Sequence, residues 1–180
     1  PQDGRVYDAI IKTIDGEKVG IFGLTTAETE DISSPGSVAF ENYLQKAEAT
    51  VKALQAQGIN KIIALTHIGY DDNPAVDNDQ QLAMRVDGID IIVGGHSHTQ
   101  LDEPVVIDED EAGDEKEPTV IVQAYQYNEY LGKLNVSFDE DGVVDTVAGE
   151  LLAIAEYDED EEAKEALAVF KERIDEIQQQ

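Results

Sequence analysis

The spacing of apolar and polar positions changes several times along the chain, and each change predicts an element. Val6–Ile14 is β-rich, Asp15-Gly16 is a strong two-residue turn signal, and Val19–Leu24 follows, so a hairpin opens the chain. After a Ser-Ser-Pro-Gly loop, Phe40, Tyr43, Leu44, Ala47, Val51 and Leu54 recur at helical spacing, and Gly58 ends that helix. Lys61–Thr66 is nearly all apolar, the pattern of a strand buried on both faces. Asp79–Val86 predicts a short helix and Ile89–Val93 a second buried strand. Helix, strand, helix, strand implies right-handed crossovers and a partly parallel sheet, whose strand ends share one edge.

Beyond residue 98 the pattern turns antiparallel. Thr119–Ala124 and Leu131–Phe138 read as strands, and Asp141-Gly142 turns the chain into Val143–Ile154. Between them, Asp102–Glu117 reads as an acidic loop. Its Asp108-x-Asp110 with Gly113 is a solvated hairpin tip rather than a calcium loop, because Ala112 and Thr119 stand where an EF-hand needs oxygen ligands. Asp158–Gln180 predicts a last helix, with Ala163, Leu167, Phe170, Ile174 and Ile177 in one narrow stripe and acidic residues in its first turn. Packing on the domain, or leading into a following one, accounts for that stripe.

A length of 180 residues suits one domain with a real core, and the 41% hydrophobic share rules out a disordered chain. The charge alters the list of partners. With 40 Asp+Glu against 12 Lys+Arg the formal net charge is -28, a field that repels phosphate backbones and anionic lipid. Nucleic-acid polymers and membrane surfaces are therefore disfavoured, and no apolar run approaches the ~20 residues of a membrane span. Cysteine is absent, which removes disulfides and thiolate ligands. The chain begins at Pro1 without an initiator Met or a signal-peptide pattern, and it reads as a piece of a longer protein.

The chemistry concentrates on three histidines. His67 closes the Lys61–Thr66 run and leads into Ile68-Gly69; His96 and His98 follow Ile91-Ile92-Val93-Gly94-Gly95. Imidazoles carried by strand C-termini onto glycine-containing turns suit a metal site, because the strand sets the approach and glycine admits close backbone. At i and i+2, His96 and His98 would share a face of extended backbone while Ser97 points elsewhere. A lone strand histidine is more often structural, so His67 gains weight only beside the other two.

Leu65-Thr66-His67-Ile68-Gly69 and Gly94-Gly95-His96-Ser97-His98-Thr99 resemble the last two metal motifs of calcineurin-like metallophosphoesterases, and within them the 5'-nucleotidase / 2',3'-cyclic-nucleotide 2'-phosphodiesterase family. Ile21-Phe-Gly-Leu-Thr-Thr26, Val86-Asp-Gly-Ile-Asp90 and Tyr130-Leu-Gly-Lys133 are similar in the same order. The resemblance implies an α/β fold, a mixed sheet with flanking helices that forms half of a four-layer αββα domain. Residues 1–155 would be the C-terminal part of that domain, and 156–180 a linker helix toward a nucleotide-binding domain. It implies two divalent ions such as Zn or Mn, His67 and His96 on one and His98 on the other, and a nucleotide or cyclic-nucleotide phosphoester as substrate. It also implies an extracytoplasmic setting.

The family's earlier motifs, Asp-x-His, Gly-Asp and Gly-Asn-His-Asp/Glu, do not occur here, so no catalytic residue is assigned in this chain. A dinuclear phosphoesterase would thus be completed by an N-terminal half, and this chain alone would be inactive. With one sheet face uncovered, it would self-associate or require that half. The alternatives are a metal-binding or interaction module without catalysis, and a structural α/β domain whose histidines are incidental.

Overall fold

A computed structural model describes residues 6–71 and 73–178. The opening hairpin forms as the pattern requires: β1 (Ala9–Ile14) turns at Asp15-Gly16, both at positive φ, into β2 (Glu17–Thr25). A one-turn helix α1 (Thr29–Ile32), unforeseen, follows β2. The long helix α2 (Tyr43–Gln55) starts later than its apolar spacing suggests, because Asn42 caps it by accepting from Gln45 N–H at 3.0 Å. Tyr43, Ala47, Val51 and Leu54 form its buried stripe, and Gly58 takes φ +77° just past its end. Strand β3 (Ile62–His67), helix α3 (Asp79–Arg85) and strand β4 (Ile91–Val93) complete the predicted alternation.

Six strands make the main sheet in the order β1-β2-β3-β4-β6-β5, with β2, β3, β4 and β6 (Glu115–Val122) mutually parallel where they pair and β1 and β5 (Val105–Glu109) antiparallel at the edges. Two expectations need correction. Asp102–Glu117 is not all loop: β5 and the start of β6 occupy half of it, and 110–114 form the turn between them. Acidic side chains on exposed edge-strand positions hid the alternation of Val105 and Ile107. And β6 is antiparallel only to β5, since it also pairs parallel with β4, for example Ile92 with Ile121. A separate antiparallel ribbon, β7 (Tyr130–Phe138) with β8 (Val144–Ala153), lies against β6.

The core sits between α2, α3 and one face of the sheet. Across that face Phe22, Ala64, Ile92 and Ile121 align in register, each 3% exposed or less. The neighbouring row on the opposite face, Gly23, Leu65, Val93 and Val122, is different: Leu65 is 49% and Val93 40% exposed. The reading of β3 as buried on both faces is thus wrong at its C-terminal end. The β7–β8 ribbon covers only part of this second face, leaving a cavity of about 190 Å³ among Val93, Leu101, Val122, Leu134 and Leu151.

Helix α4 (Glu161–Gln178) begins three residues later than expected, after Asp160 accepts from Ala163 N–H, and the expected end at residue 180 lies outside the described residues. Its stripe does not pack on the domain: Leu167, Phe170, Ile174 and Ile177 are all more than half exposed. No helix among the described residues is long and apolar enough to cross a membrane.

Candidate metal centre

Three parallel strands end together, and the loops that leave them build the site. Thr25 pairs with His67 in the β2–β3 register, and Leu65 with Val93 in β3–β4, so the segments after Thr25, His67 and Val93 emerge at one edge. Backbone bonds hold those loops together. Thr26 N–H donates to His67 O at 2.9 Å, Gly69 N–H to Gly95 O at 3.0 Å and Gly94 N–H to Val122 O at 2.8 Å.

Close approach excludes a side chain at Gly94 and leaves little room for one at Gly95. A Cβ at Gly94 would collide with Asp79 Oδ2, and one at Gly95 would stand 3.1 Å from His67 Nδ1 and 3.4 Å from Thr66 O. Removing bulk here lets the β4 loop lie directly on the end of β3. The result is a pair of imidazoles, His67 and His96, with ring centroids 5.1 Å apart in an edge-to-face arrangement. The ring of His98 stands 5.7 Å from that of Tyr127.

The backbone at these histidines is not extended. His96 and His98 take φ +82° and +54°, so the two-residue alternation expected of a strand does not apply. A left-handed histidine is uncommon and persists only where its surroundings enforce it. Here the enforcing group is Gln123, 2% exposed, whose Oε1 accepts from Thr99 N–H and from Ser97 Oγ. Ser97 Oγ in turn accepts from Tyr70 N–H at 3.0 Å and pairs with Thr99 Oγ1 at 2.8 Å. Ser97 does point away from the histidines, as a clamp for the loop.

Several site residues escaped the sequence reading. Glu28, in the loop after β2, places Oε2 3.1 Å from His96 Nε2, and its other oxygen accepts from Asn73 Nδ2. These bonds hold the Glu28 carboxyl below its usual range, the one from Asn73 first and the one from His96 second. Asp77 is 1% exposed and accepts from Ala27 N–H at 3.0 Å; burial, the dominant cause, pushes it above the usual carboxylate range against that bond and one from Thr26. Asp79 is fully buried and takes the Thr66 hydroxyl at 2.6 Å. His67 is lowered from its ordinary value, chiefly by desolvation of the ring against the β4 loop and then by His96 and His98. A neutral imidazole is the form that ligates metals. Tyr127, 80% exposed at φ +53°, stands beside His98 on a backbone where Tyr125 and Asn128 are also left-handed.

His67 and His96 thus stand side by side, and imidazole nitrogen is a donor that divalent transition metals accept. The two rings do not enclose an ion by themselves: among the described residues no group of three or more His, Asp or Glu side chains is arranged to hold a metal. A complete centre needs further ligands.

Comparison with known proteins shows what the chain is similar to. No protein-family model matches the chain. It is 42% identical over 98% of its length to the trifunctional nucleotide phosphoesterase protein YfkN of Bacillus subtilis (strain 168), and 36% identical over 78% of its length to the 5'-nucleotidase of Diplobatis ommata. It spans only 12% and 25% of those two proteins. The crystal structure of a 5'-nucleotidase precursor from Thermus thermophilus superposes on 99% of the chain and 36% of its own, with a TM-score of 0.87 and 35% identity. Similar in sequence over nearly its whole length and alike in fold, the chain is a homologue of one segment of the 5'-nucleotidases.

Proposed function

We propose that this chain supplies three histidine ligands of a dinuclear metal centre in a nucleotide phosphoesterase. His67 and His96 would hold one ion and His98 the other, and carboxylate ligands and the general acid would come from the N-terminal half of the parent domain. When bound, the ions polarise a phosphoryl oxygen of the substrate and activate water. The chain's own part is to set the imidazoles: β3 and β4 deliver them to one edge, Gly94-Gly95 bring the loops together, and Gln123 fixes the turn.

The observation that carries this reading is the side-by-side placement of His67 and His96 at 5.1 Å on the parallel strand edge. The open row of Gly23, Leu65 and Val93 next to that edge suits contact with the missing half, and the exposed stripe of α4 suits a linker running from residue 156 toward a further domain. The substrates would be 5'-nucleotides or cyclic nucleotides, and the setting extracytoplasmic.

Two measurements test this. In the parent protein, His67→Ala and His96→Ala should each remove at least two powers of ten from metal-dependent turnover of a nucleotide monoester, and bound metal should fall with it. The chain by itself, given Mn²⁺ or Zn²⁺, should not turn over bis-p-nitrophenyl phosphate, because one oriented proton-transfer group alone is worth about 10²–10⁴. Metal binding by the parent without turnover of any phosphoester would instead support a metal-binding or interaction module.

A further inference from the structure

The contact between Glu28 and His96 carries an inference that the metal ligands alone do not. Glu28 is not a loose surface carboxylate. Its side chain is 29% exposed and that of His96 18%, with Oε2 and Nε2 3.1 Å apart. The other carboxylate oxygen is held by Asn73, across 45 residues of sequence. The backbone around Glu28 is pinned as well: Ala27 N–H donates to Asp77 Oδ2, and Glu28 N–H donates to Thr26 Oγ1 at 3.1 Å. Asn73 and Asp77 are themselves joined by a short bridge, so both anchors belong to one turn.

An ionised carboxylate only accepts hydrogen bonds, so in this pair the imidazole donates through Nε2–H. A neutral imidazole has a single N–H, which leaves its lone pair on Nδ1. The geometry points to Glu28 as the positioning residue that locks His96 in the Nε2–H tautomer and so presents Nδ1 to a metal ion. Carboxylates behind metal-bound histidines act in this way, fixing tautomer and ring orientation. Asn73 takes part by orienting the carboxylate. The tautomer assignment rests on the hydrogen bond; its use in ligation rests on the metal reading of His96 above.

The test separates the two. The full chain, stripped of metal by a chelator and labelled with ¹⁵N-histidine, is read by long-range ¹H–¹⁵N correlation at a pH where the rings are neutral. Only three histidines occur, so His67→Gln and His98→Gln assign the signals. His96 should show a protonated Nε2 and a bare Nδ1. Glu28→Gln, whose carbonyl oxygen is held by the Asn73 Nδ2 donor and whose NH₂ therefore faces Nε2 as a donor, should shift the ring toward Nδ1–H, and Glu28→Ala should release it to a mixture. Mn²⁺ affinity, measured by calorimetry in the parent protein, should fall about 10–100-fold in Glu28→Ala and recover in part in Glu28→Asp. If Glu28→Ala loses the dispersed amide spectrum of a folded chain, Glu28→Gln alone decides. An Nδ1–H tautomer in the unsubstituted chain, or a tautomer and affinity indifferent to Glu28, overturns the inference. An Nε2–H ring in a parent protein that binds no Mn²⁺ removes the metal reading and leaves the hold of Glu28 on the tautomer standing.

Discussion

Asp90 offers a quantitative check on how this core is joined. It sits just before β4 and is 9% exposed, with Oδ2 accepting from Ile62 N–H at 2.6 Å. Its own N–H donates to Ile62 O, and its carbonyl accepts from Val120 N–H, so one residue ties β3 to β6. The groups around it are Glu117, which disfavours its charge, and Lys61 and Lys116, which favour it; burial outweighs all of them and the bond from Ile62, and raises the carboxyl from 3.8 to about 7. Because the folded value is the higher one, the native state keeps its proton after the unfolded chain has lost it. Stability from this group is complete below the unfolded value and declines as pH rises from 3.8 to about 7. At 1.36 kcal/mol per unit, a shift from 3.8 to about 7 amounts to about 4 kcal/mol.

Asp90→Asn keeps an oxygen for Ile62 N–H and carries no proton to lose. Urea unfolding of both chains across this range isolates the group, since the large acidic background is common to both. The stability difference, variant minus parent, should be small near pH 4, grow by about 1.4 kcal/mol per unit, and level off near 4 kcal/mol above neutral pH. A difference that does not change with pH, or one that favours the parent as pH rises, would refute the argument. The second outcome would mean that Lys61 and Lys116 stabilise the ionised carboxylate more than burial opposes it.

Other expectations follow from packing. Ile92→Ala, at the fully buried centre of the sheet face under α2 and α3, should cost about 2–5 kcal/mol and lower Tm by roughly 4–20 °C, read by calorimetry. Gly94→Ala, whose Cβ would meet Asp79 Oδ2, should cost about 1–3 kcal/mol from overpacking and as much again if the Thr66–Asp79 hydrogen bond breaks, with chemical-shift changes at His67 and His96. The chain by itself should associate through the face bearing Leu65 and Val93, and sedimentation equilibrium at physiological salt should show it; a monomer at tens of micromolar would show that the ribbon already suffices as a cover.

Local patterning alone determined β3 and β4 as parallel strands, the opening hairpin, α2 and α3, and the three histidines at strand ends. Period, turn signals and apolar runs are properties of neighbours in sequence, and His67, His96 and His98 stood out because each followed an apolar run. Tertiary structure decided the rest. Strand β5 was hidden because an edge strand beside an acidic turn needs no strong apolar signal, only a partner, and β6 supplies it. Leu65 and Val93 look buried by composition; whether they are depends on what covers the second face. Glu28, Asn73 and Gln123 lie 68, 23 and 27 residues from His96 in sequence, and nothing in their own neighbourhoods marks them. The β2–β3–β4–β6 register brings them to one edge, and there long-range hydrogen bonds hold the histidine loop in a left-handed turn that no local pattern encodes.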